Sequence, residues 1–148
     1  MFLIEPEGIL FLGDIDLSSF GPFYGDAWSN LEDFESSPKR VADIGARTWA
    51  TFHHVGIIED PSLFREKLDR FASRIPQRDE AILSYLERPR TVAEMISHRF
   101  LYPEHVKEPF VDAIEKRTVA QHLARLESSG RVARTAPEAL SATYIRTG

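Results

Sequence analysis

The hydrophobic period of this 148-residue chain changes near Pro61, and that change restricts the folds open to it. Before Pro61, apolar residues fall in short continuous runs, Ile9-Leu10-Phe11-Leu12 and Trp49-Ala50-Thr51-Phe52. Such runs read as strands buried on both faces, the second favoured further by its aromatic and β-branched residues. After Pro61, Phe64, Leu68, Phe71 and Ile75 recur at i, i+4, i+7 and i+11, one stripe of an amphipathic helix. An α/β sheet portion over residues 1–60 is therefore expected to precede a mainly helical portion over 61–148.

Both strand-like runs end in residues that can bind a metal. Gly13-Asp14 closes the first, and His53-His54 close the second about forty residues later. Carboxylate oxygen and imidazole nitrogen suit zinc or a similar divalent ion, and rigid strand ends hold such ligands well. A Gly-Asp step after a strand is also what a plain turn looks like.

The wider wording is more specific. Gly8-Ile9-Leu10-Phe11-Leu12-Gly13-Asp14, Pro22-Phe23-Tyr24-Gly25-Asp26, Asn30-Leu31-Glu32-Asp33-Phe34 and Phe52-His53-His54-Val55-Gly56-Ile57-Ile58 together resemble the C-terminal part of a metallo-β-lactamase-fold hydrolase. Gln77-Arg78-Asp79-Glu80-Ala81-Ile82-Leu83 and Ala120-Gln121-His122-Leu123-Ala124-Arg125-Leu126-Glu127 resemble the winged-helix domain that one branch of that family carries after it. The resemblance implies a partial αββα sandwich followed by a winged-helix domain. It also implies that Asp14 bridges two metal ions, zinc in this family, and that His54 holds one of them. His54 is preferred to His53 because His54-Val55-Gly56-Ile57-Ile58 keeps the family's spacing to the following apolar pair, although Phe52-His53 stand where the family has Pro-Gly. The family's main metal motif, His-x-His-x-Asp-His, and its next ligand in a Gly-His motif have no counterpart before Asp14. The chain thus reads as the family's sheet entered late, whether by truncation, proteolysis or a shortened reading frame.

Charge follows the same division. Residues 1–60 carry 3 basic and 11 acidic side chains, net -8, and residues 61–148 carry 15 and 12, net +3, which gives the -5 of the whole chain. With no cysteine there are no disulfides, thiolate ligands or cysteine nucleophiles, and the composition is compatible with the cytoplasm. No apolar run approaches a membrane span, and the N-terminus lacks the basic segment of a signal peptide.

Residues 16–37 read as a long loop. Its Phe20, Phe23, Tyr24 and Trp28 could wall a substrate cleft or fill the core beneath the loop. Leu31, Phe34, Val41 and Ile44 outline a helix on the sheet, with Pro38 expected to kink or split it. The helix over Phe64–Ile75 is expected to link the two portions and to restart at Pro76. Ile82, Leu83 and Leu86 mark a helix ended by Pro89, and Thr91-Val92-Ala93-Glu94 opens another as a capping box. Thr118-Val119-Ala120-Gln121 repeats that device ahead of a helix burying Val119, Leu123 and Leu126, and two strands follow Ser129-Gly130. Helix, helix, helix and hairpin is winged-helix order.

On the last helix Arg117, Gln121, His122 and Arg125, and on the hairpin Arg131, Arg134 and Arg146, are the side chains expected to face a nucleic acid. Glu115, Glu127 and Glu138 interleave with them, and a net +3 supports only weak binding. Glu94 and His98, His105 and His122 read as solvated residues, and Ser18 and Ser19 as loop serines outside any nucleophile elbow.

The parent activity implied by the resemblance is hydrolysis of an ester, thioester, lactone or phosphodiester by a metal-activated hydroxide. Whether this chain is itself an enzyme turns on the ligands it lacks. Two ligands make no catalytic zinc site, so the chain alone is expected to be inactive. Its expected partners are the missing N-terminal half of the fold or a second copy of itself, a small-molecule substrate in the parent enzyme, and no membrane. The reading from a different class is a non-enzymatic winged-helix module that binds nucleic acid or protein.

Overall fold

In the computed structural model, which describes residues 1–135 and 142–148, the chain forms two compact units. Residues 1–22 and 32–75 make the first, and residues 23–31 and 76–148 the second.

The first unit is a four-stranded mixed sheet in the order β1 (Phe2–Ile4), β2 (Ile9–Phe11), β3 (Thr48–Ala50) and β4 (Ile57–Ile58). β1 and β4 run antiparallel to their neighbours, while β2 and β3 are parallel. Parallel neighbours need a crossover, here α1 (Leu31–Ala42). It is a single helical run with Pro38 inside it, so the expected split is absent. Strand alternation puts Leu3, Leu10, Trp49 and Ile58 in register on one face. That face meets Val41 of α1 and Phe64, Leu68 and Phe71 of α2 (Pro61–Ala72), with Trp49 stacked on Phe64 at 4.2 Å between ring centroids. Asp60 caps α2 through Ser62 N and Leu63 N, and Pro61 occupies its first turn, where a missing N–H costs nothing. The helix expected as a link thus closes the core of the sheet.

That helix stops at Ser73 rather than at Pro76, and α3 (Arg74–Tyr85) follows at once. Pro76 falls in the first turn of α3, where proline interrupts no backbone bond. The second unit continues with β5 (Arg90–Thr91), α4 (Val92–His98), α5 (Val111–Ser128), β6 (Val132–Thr135) and β7 (Thr143–Arg146). Its strands pair in the order β5-β7-β6, so the expected hairpin gains a third strand. The capping box at Thr91 and Glu94 is present on both sides, and Thr91's bonds hold the Glu94 carboxyl below the usual carboxylate range. Thr118 opens no helix. It is buried in the middle of α5, which starts at Val111 after the N-cap Phe110. Ile82, Leu83, Leu86, Met95, Val119, Leu123, Leu126 and Val132 fill the core.

Glu115, read from sequence as a surface charge, is fully buried. Its carboxylate accepts from the backbone N–H groups of Phe100, Leu101 and Tyr102 at 3.1, 3.0 and 2.8 Å and closes the loop after α4. Glu115→Ala strands those donors and is expected to lower the unfolding free energy by about 2–3 kcal/mol. Urea denaturation measures it, and a loss under about 0.5 kcal/mol would mean that the loop is held by other contacts.

Candidate metal-binding corner and a buried polar network

β2 and β3 lie side by side, so the loops that leave them, Gly13-Asp14 and His53-His54, are neighbours. Gly13 takes a φ of 62° and its carbonyl accepts from Phe52 N at 3.4 Å. On the other side Thr51 builds a tight turn. Its N–H donates to Gly56 O and its hydroxyl to His53 O, each at 2.9 Å, and it accepts from Gly56 N at 2.8 Å. Val55 N donates to His53 O at 2.7 Å, which makes His54 the central residue of a three-residue turn. His54 accordingly has a φ of 62°, uncommon for a residue with a Cβ.

The carboxylate that meets His54 belongs to Asp16, with Oδ2 at 3.6 Å from Nε2. Asp16 also accepts from Ser18 N at 2.9 Å, around a Leu17 whose φ is 56°. Two non-glycine residues in the left-handed region, Leu17 and His54, thus lie beside this one contact, and strain of this kind gathers where a site is held in shape. Asp14 is exposed and lines a concavity of about 200 Å³ with Met1, Leu12, Ile15, Asp33, Phe34 and Ser37. His53 is exposed, its ring 5.9 Å from that of His54. Catalytic zinc normally takes three protein ligands, and among the described residues no group of three or more His, Cys, Asp or Glu is placed to hold one ion. The donor set does not amount to a zinc site by itself.

The loop aromatics divide. Trp28 is 97% exposed, on a turn where Asp26 accepts from Trp28 N, Ser29 N and Ser29 Oγ, bonds that hold its carboxyl low. Tyr24 is buried and belongs to a network that the sequence reading missed. Its hydroxyl lies 2.7 Å from His122 Nε2 and accepts from Arg78 Nη1 at 3.0 Å. His122 Nδ1 lies 2.7 Å from Asp79 Oδ1, and Asp79 Oδ2 pairs with Arg125. Burial pushes the Tyr24 hydroxyl up, and burial, outweighing Asp79, pushes His122 below its ordinary 6.5. Gln121 donates to Tyr24 O and accepts from Leu31 N, at 2.8 and 2.7 Å. Three of the four residues expected to face a nucleic acid from α5 are thus engaged inside the unit, and Arg117 alone is exposed. Glu138 lies outside the described residues. The available signal was positional: Asp79 falls on the Ile75, Ile82, Leu83, Leu86 stripe and His122 on the Val119, Leu123, Leu126 stripe.

No family model and no curated protein matches the chain. Solved structures do. A metallo-beta-lactamase family protein from Thermus thermophilus is similar over 99% of this chain and 44% of its own, with a TM-score of 0.71 and 32% identity. A beta-lactamase domain protein from Burkholderia ambifaria is similar over 98% of this chain and 43% of its own, with a TM-score of 0.66 and 18% identity, a likeness of fold alone. The chain spans less than half the length of either, and its mixed α/β structure matches part of a metallo-β-lactamase fold.

His54→Gly removes the Cβ from the strained turn and gives up only a 3.6 Å contact between an exposed imidazole and the half-buried Asp16. It is expected to raise the unfolding free energy by roughly 0.5–1 kcal/mol. Thermal unfolding reads it, and a clear fall in the midpoint would show that the imidazole itself holds the turn.

Proposed function

We propose that this chain is the C-terminal portion of a metal-dependent hydrolase of metallo-β-lactamase type. In this reading Asp14 and His54, with Asp16 beside them, supply part of a zinc site that the rest of the fold completes. The observation that carries it is the uneven covering of the four-stranded sheet. Helices α1 and α2 pack on one face, whereas the other sets Phe2, Phe11, Ala50 and Ile57 in one row and Ile4, Ile9 and Thr48 in the next. Phe2 stacks on Phe11 at 5.0 Å, Phe52 meets Phe11 edge-on at 6.4 Å, and Phe52 and Ile57 are 64% and 70% exposed. A helix-covered sheet with an open apolar face is half of an αββα sandwich, and its complement is a second sheet. The similarity to under half of two such proteins supports the same division.

The second unit reads as a winged-helix domain, supported by its element order and its β5-β7-β6 sheet. Hydrolysis of an ester, thioester, lactone or phosphodiester is the activity of the completed fold. No observation favours the nucleic-acid-binding module, because α5 engages Gln121, His122 and Arg125 internally. Among the described residues no helix is long and apolar enough to cross a membrane.

After dialysis the chain alone is expected to retain no stoichiometric zinc and to leave generic thioester, lactone and phosphodiester substrates at background rates. About two zinc ions per chain, with activity lost in Asp14→Ala, would overturn the fragment reading. Sedimentation supplies an independent check. The open face should drive self-association at micromolar concentration, relieved by Phe52→Lys with Ile57→Lys, and a clean monomer that binds no apolar dye contradicts the half-sandwich.

A further inference from the structure

The segment Phe23–Leu31 is a strap: it belongs to the second unit although the residues on both sides of it, through Pro22 and from Glu32, belong to the first. Three contacts pin it to α5. Gln121 bonds both ends, at Tyr24 O and Leu31 N. Gly25 lies so close to Ile114 that a Cβ would come within 2.4 Å of its methyl, so the strap seats only because that residue is glycine. The third pin is the Tyr24 hydroxyl on His122.

That pin depends on one proton. Arg78 Nη1 donates to the Tyr24 oxygen, and in the neutral His122 ring the Tyr24 O–H donates to Nε2. Nε2 is then bare and Nδ1 carries the hydrogen that Asp79 Oδ1 accepts, while Asp79 Oδ2 pairs with Arg125. Among the described residues, Arg78 and Asp79 on α3, Arg125 on α5 and Tyr24 on the strap are the charged or titratable groups that bear on His122. A proton on Nε2 turns donor against donor and sets a third cation beside two arginines and one carboxylate.

We propose that His122 is a proton-operated latch on the Phe23–Leu31 strap, holding it while Nε2 is bare and releasing it when Nε2 is protonated. The sign follows from linkage. Burial keeps the seated imidazole below its ordinary 6.5, so the released state takes up the proton more readily. The hold is complete above pH 6.5 and is lost as pH falls through the lower seated value, the opening constant rising roughly tenfold per pH unit between the two.

Trp28 reports on the strap, and the other tryptophan, Trp49, is fixed in the sheet core. In the full chain labelled with 5-fluorotryptophan, the Trp28 fluorine signal is followed from pH 8 to 5 beside the His122 ring carbons and the far-ultraviolet helix signal. The expected result is a His122 midpoint below 6.5 and sharpening of the Trp28 signal over the same pH range, with the helix signal constant. His122→Gln, whose amide offers a donor and an acceptor without titrating, should abolish the step, and Tyr24→Phe should leave the strap loose at pH 8. A His122 midpoint at or above 6.5, a Trp28 signal indifferent to it, the same step in His122→Gln, or helix loss at the same pH would each overturn the latch. If His122→Gln fails to fold, the unsubstituted chain and Tyr24→Phe decide by the same criteria.

Discussion

The first unit rests on one buried row. Leu10 and Trp49 occupy the two central, parallel strands, and everything that covers the sheet does so by packing on them: Val41 from α1 and Phe64, Leu68 and Phe71 from α2. Fully burying one such side chain is worth about 1.5–3 kcal/mol, so this layer can order short strands that would not pair stably by themselves. The same geometry fixes what stays uncovered. Because successive residues alternate faces, sending Leu10, Trp49 and Ile58 to the helices sends Phe2, Phe11 and Ile57 the other way. A sheet with apolar residues on both faces belongs to a layered architecture, and here α1 and α2 cover one of the two faces.

The second unit buries polarity as well as apolar surface. Glu115 places an anion among three backbone donors, and His122 and Asp79 are placed where core residues would be expected from the helical period. An unpaired polar group in such a place is costly, so these side chains are tolerated because each finds a partner of matching chemistry. The consequence is specificity of position. The strap seats where Tyr24 meets His122 and Gly25 meets Ile114, a fit that no generic apolar contact would impose.

The candidate metal-binding corner is less finished than either core. Its two loops are brought together by the parallel pairing of β2 and β3, and both carry non-glycine residues at positive φ. The contact made there joins His54 to Asp16, while Asp14 faces a separate concavity.

Much of this was legible in the sequence. The change of period at Pro61, the runs at Ile9 and Trp49, the cap at Thr91 and the stop at Ser129-Gly130 each follow from local chemistry, because periodicity and capping act over a few residues. Other features depend on distant partners. Thr118 offered the wording of a helix start and became a buried mid-helix residue, since tertiary packing overrides a local cap signal. Pro38 was absorbed into α1, and Arg90-Thr91 became a strand only because β7 arrived beside it. Asp16, rather than Asp14, faces His54 because the path of the loop around Leu17 decides it. His122 looked solvated because its partners, Tyr24 and Asp79, lie 98 and 43 residues away in the chain. The sequence by itself determined the strands at Ile9 and Trp49 and the succession of helices after Pro61. Only the tertiary structure decided which polar side chains are buried, because burying one is tolerated only when a partner from a distant segment meets it.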